Sequence, residues 1–140
     1  MPKKKPGRQW TWAPNKRLKP KVSDDIKAEL ETKAKELIEK VLTPKYIKAP
    51  PKKPQSNYPT EIWTKWHRSF LYFTSTWASP GPHKIAPTYE RPFARMEYVG
   101  DQRFNLAYLR HTGKWWETNK NLTINQCLKL IGEDGPFTMI

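Results

Sequence analysis

Apolar and polar residues alternate with a period of two along residues 89–117, the mark of half-buried strands. Phe93, Arg95, Glu97 and Val99 alternate with Ala94, Met96 and Tyr98. Gly100-Asp101 supplies residues that tolerate hairpin backbone angles. Phe104, Leu106, Tyr108 and Arg110 then alternate with Arg103, Asn105, Ala107, Leu109 and His111. Thr112-Gly113 predicts a second turn, and residues 114–117 a short third strand. Upstream, the aromatic and β-branched residues 62–77 predict a strand or two. Trp63, Lys65, His67, Ser69, Leu71, Phe73 and Ser75 share one parity, and Ile62, Trp66, Phe70 and Tyr72 the other. Rings on both parities predict a central strand covered on both faces, or one that bends.

Helical spacing governs two stretches. Ile26, Leu30, Ala34, Leu37, Ile38, Val41 and Leu42 fall on one helical face, behind Ser23 as N-cap and Asp24 and Asp25 in the first turn. Pro44 is expected to stop that helix. Thr123 caps a shorter one carrying Ile124, Cys127, Leu128 and Ile131, closed by Gly132 and Gly135-Pro136. The fold expected is α+β: a small antiparallel sheet of three to four strands packed with an N-terminal and a C-terminal helix.

Between these elements the chain is rich in proline. Residues 1–22 mix four prolines and two tryptophans with eight Lys/Arg and no acid, a composition that predicts a disordered arm. Residues 23–44 form the helix, 45–60 a Pro/Lys linker and 61–140 the α+β domain, with a 79–92 loop that holds four prolines.

The formal net charge of +13 divides unevenly: +8 in residues 1–22, −2 in 23–42, +4 in 43–60 and +3 in 61–140. A basic arm on a mildly basic domain suits nucleic-acid phosphates. The residues expected to bind are Lys3, Lys4, Lys5, Arg8, Lys16, Arg17, Lys19 and Lys21 by charge, Trp10 and Trp12 by stacking, and Arg95, Arg103, Arg110, His111 and Lys114 from the strands. Strand parity sets Arg103 and His111 opposite Arg110, so these five do not all share one face. RNA, ribosomal RNA included, is favoured over DNA. The single cysteine, Cys127, forms no internal disulfide, and no apolar run reaches membrane length. A cytoplasmic protein is the expectation, associated with ribosome or nucleoid, or nuclear if eukaryotic.

Catalysis finds little support. His67, His83, His111 and Cys127 lack the close pairing of structural zinc sites, so neither metal nor cofactor is expected. Cys127 falls on the apolar side of its helix, and Glu97 stands among arginines that explain it as a surface ion pair. Two alternatives remain: an assembly subunit that meets other proteins, and a small enzyme in which His83, Glu90 and Arg91 converge at the 79–92 loop.

The order helix, aromatic strand, Glu90-Arg91-Pro92, Phe93-Ala94-Arg95, Tyr98 and a strand closing on Gly113-Lys114-Trp115 resembles a family of small bacterial proteins known as a domain of unknown function. The resemblance covers about residues 61–131; the basic arm and the long loop of residues 79–87 depart from it. It implies a small α+β fold and carries no activity or site residues.

Overall fold

The computed structural model describes residues 20–50, 56–80, 87–133 and 135–137. Five antiparallel strands form one sheet in chain order: β1 (Tyr58–His67), β2 (Phe70–Ala78), β3 (Thr88–Gly100), β4 (Arg103–Leu109) and β5 (Trp115–Leu122). The fold is α+β as expected, with five strands rather than three to four.

The extra strand comes from residues 61–78, which make a hairpin rather than one central strand. His67 pairs with Phe70 across Arg68-Ser69, and Arg68 takes the left-handed φ of 57°. Ser69 suits a turn, but an arginine at the left-handed position does not announce one, so the turn is hard to read in the sequence. The next hairpin turns on Asp101-Gln102, at φ 54° and 58°, one residue later than expected. Gly100 precedes it at φ 98°, a left-handed angle that suits glycine. The last strand runs on to Leu122 through polar residues that carry no strand signal.

Prolines also enter strands. Pro59 sits at a register shift in edge strand β1, and Pro92 lies beside the β2–β3 bulge. There β3 pairs with β2 alone, because pairing with β4 begins at Ala94. A missing N–H is tolerated at such an edge or bulge. The loop expected over 79–92 therefore ends by Thr88.

Helix α1 (Asp24–Leu37) begins as its sequence predicts, with Ser23 Oγ accepting from the Ile26 N–H at 3.3 Å. Pro44 does not end it. A π turn (Ile38–Leu42) follows, and α2 (Thr43–Tyr46) carries Pro44 in its first turn. The Thr43 N–H donates to the Ile38 carbonyl, and this widening just before Pro44 relieves the clash that a proline ring makes with the preceding turn. Helix α3 (Ile124–Gly132) opens with a capping box, Thr123 and Gln126 bonding each other's backbone N–H. Gly132 lets α3 approach α1: a Cβ there would stand 3.0 Å from Leu37 Cδ1.

The core lies between the helices and one face of the sheet. Leu30, Ala34, Ile38, Leu42 and Tyr46 from the first helical run, and Cys127, Leu128 and Ile131 from α3, meet Ile62, Leu71, Phe73, Met96, Phe104 and Leu106. Val22 is buried with them, while Pro20 reaches within 3.5 Å of where a Gly100 side chain would begin. Pro20, the first described residue, thus lies at the β3–β4 hairpin.

Candidate nucleic-acid interface

Pairing register assigns every strand residue to a face. Trp66 opposite Leu71, Leu71 opposite Met96 and Met96 opposite Leu106 define the helix-covered face. The other face carries Glu61, Trp63, Lys65 and His67 from β1, Phe70, Tyr72 and Thr74 from β2, Glu90, Pro92, Arg95 and Glu97 from β3, Asn105, Ala107 and Leu109 from β4, and Trp115 and Glu117 from β5. No described helix packs on this open face.

Its centre is Arg95. The guanidinium lies 4.9 Å from the ring centroids of both Phe70 and Trp115. Tyr72 extends the cluster, with centroids 5.6 Å from Trp115 and 6.0 Å from Phe70. On the β1 side Lys65 Nζ lies 5.6 Å from the Trp63 ring, whose Nε1 donates to Thr76 Oγ1 at 2.9 Å. Cation–π contact holds such side chains in place without removing their charge. The rings are half-buried.

The expected strand residues scatter. Arg95 is on the open face, but Phe93 is not beside it: the bulge between Phe73 and Thr74 turns Phe93 into the core, where its ring meets Phe73 edge-on. Arg110 lies 4.8 Å from the Trp116 ring, on the helix-covered side at the sheet's edge. Arg103 stands at the hairpin tip, lining a groove with Glu29, Lys33 and Asn125. His111 and Lys114 are exposed in the β4–β5 turn, and Lys21 is exposed where the arm meets the domain. Lys3, Lys4, Lys5, Arg8, Trp10, Trp12, Lys16, Arg17 and Lys19 lie outside the described residues. The open face adds Trp63, Lys65, Phe70, Tyr72 and Trp115 to the candidates. Their shared face becomes readable only with the turn at Arg68-Ser69 in place.

Glu90 and Arg91 are adjacent in β3 and point to opposite faces; His83 lies outside the described residues. Among the described residues no group of His, Cys, Asp and Glu is arranged to hold a metal ion. Likewise no helix there is long and apolar enough to cross a membrane. Cys127 is fully buried, and loss of solvation pushes its thiol from an ordinary value near 9 up to about 12. The folded chain therefore holds this proton where the unfolded chain releases it. The stability this contributes is complete below about pH 9 and is lost as pH rises toward 12. A Cys127→Ala variant lacks that dependence. The gap between wild-type and variant urea midpoints is expected to narrow between pH 8 and pH 10.5; a constant gap would refute the assignment.

A family model described as a domain of unknown function (DUF3024) matches residues 22–138, taking in every helix and strand above and leaving out the basic arm. That span is wider than the 61–131 resemblance carried by the short motifs. No curated protein and no solved structure matches the chain.

Proposed function

The chain belongs to this family, and we propose that its open sheet face binds single-stranded nucleic acid, RNA ahead of DNA, without catalysis. The observation that carries this reading is the pairing of faces. Helices cover one side of the sheet, while the other groups Trp63, Phe70, Tyr72 and Trp115 with Lys65 and Arg95. Aromatic rings on such a face stack on unpaired bases, which any base satisfies, and the cations between them meet phosphates. RNA is preferred as a target because its single-stranded loops and bulges present such unstacked bases. The basic arm adds affinity that depends on salt: its lysines and arginines release counterions from the strand, and Trp10 and Trp12 offer further stacking.

Fluorescence-anisotropy titration of a labelled single-stranded RNA by the full chain, over a salt series, tests the proposal. If about six phosphates are neutralised, log affinity falls against log salt with a slope near −4. Deleting residues 1–19 is expected to flatten the slope and leave residual, stacking-based binding. Absence of binding at low salt, or tighter binding to duplex than to single strand, would overturn the reading. Single-stranded DNA of matching sequence serves as the comparison, and equal affinity would remove the preference for RNA.

A further inference from the structure

The open face is not flat. Beside the Arg95 cluster lies a cleft of about 490 Å³, a volume in the range of small-molecule sites, whose lining includes Lys65, Trp66, His67, Tyr72, Thr74, Glu90 and Pro92. Thr74 is 3% exposed and forms its floor, with the Tyr72 ring and Pro92 as apolar walls. Glu90 and Lys65 bring opposite charges to the same opening. Among the described residues Glu90 makes no ion pair. Glu61 shares this face and also makes no ion pair among the described residues, but only Glu90 of the two lines the cleft, and a carboxylate there repels phosphate unless it has another task. That task is set by its chemistry: an ionised carboxylate only accepts hydrogen bonds, and its two oxygens accept from donors that lie side by side.

Resting on the proposed nucleic-acid role, we infer that this cleft is a base pocket selecting guanine, with Glu90 reading its Watson–Crick edge. Guanine presents a ring N–H next to an exocyclic amine, a donor pair that fits both carboxylate oxygens. Adenine and cytosine offer one amine beside an acceptor, and uracil a single ring N–H between two carbonyls. Guanine also carries its O6 and N7 acceptors together, which a lysine such as Lys65 satisfies. Tyr72 supplies the stacking surface and Pro92 the facing wall.

The experiment uses the full chain and labelled ten-residue oligouridylates carrying one central G, A, C or inosine, at a single salt concentration. The G-containing strand is expected to bind about tenfold more tightly than uniform U. Inosine lacks the exocyclic amine and loses most of that advantage. Glu90→Gln brings G within twofold of U, and the loss of one negative charge raises the affinity of every strand alike, so the G-to-U ratio is the readout; Glu90 is exposed, so the variant keeps its fold, checked by circular dichroism. Equal affinity for all strands, or preference for A or C, overturns the guanine pocket and leaves the binding role standing. No binding to any strand overturns the role itself, and the pocket with it.

Discussion

A Tyr72→Ala, Trp115→Ala double variant is expected to bind single-stranded RNA on the order of a hundredfold more weakly than the wild type, because each base-stacking ring contributes about 1–3 kcal/mol. The two rings touch, at 5.6 Å between centroids, so their effects overlap rather than add. Removing Trp115 also takes away one of the two rings that hold the Arg95 guanidinium. The fold tolerates the change, since both rings lie on the face away from the core. Trp116 provides the control. It is 52% exposed and adjacent in sequence, but it points to the other side of the sheet. Trp116→Ala is expected to leave affinity within about twofold, the scatter typical of a residue outside the contact. Equal losses from the two positions would mean that the sheet does not present one binding face.

Phe104→Ala should be the most damaging single substitution to stability, at about 3–5 kcal/mol. Phe104 is fully buried, packs its ring 5.3 Å from Tyr98, and faces Leu122 across the β4–β5 ladder. Alanine there leaves a cavity that sheet and helices cannot both collapse to fill. With total stabilities of about 5–15 kcal/mol for natural domains, such a loss removes much of the margin. Urea denaturation should report a lower midpoint with an unchanged slope. A cost below about 1 kcal/mol, the value of a surface position, would mean that the helices do not seal this side of the sheet. The assignment of the open face would then fall too.

Local chemistry is legible in the sequence at the helix starts, though Pro44 does not end the first helix as its type suggests. Ser23, Asp24 and Asp25 mark the start of α1, and Thr123 the start of α3, because caps act within one helical turn. Pairing and face were harder, because they depend on residues far apart. Parity counted along 62–77 fails at Arg68-Ser69, where an arginine adopts a left-handed angle that nothing nearby announces. The count along β3 fails at Phe93 for a similar reason: the bulge adds one residue and exchanges the faces upstream of it. The charge of Arg95 thus marks it in the sequence, while its parity with Phe93 points to the wrong aromatic companion. Phe70 and Trp115, its actual neighbours, come from strands on either side of β3 in the sheet.

The π turn sets the phase of the whole N-terminal helical run. Its buried residues, Leu30, Ala34, Ile38, Leu42 and Tyr46, recur every four positions without exception. In an unbroken α-helix a step of four overshoots one turn by about 40°, so five such residues would wind some 160° around the axis. Leu30 and Tyr46 would then face nearly opposite directions. The wider turn at Ile38–Leu42 takes back part of that drift and keeps all five on the sheet. The run thus acts as a vernier between two repeats, four residues in sequence and 3.6 in the backbone. One local change of winding lets a single straight edge of side chains reach from Leu30, at one end, to Tyr46 beside β1.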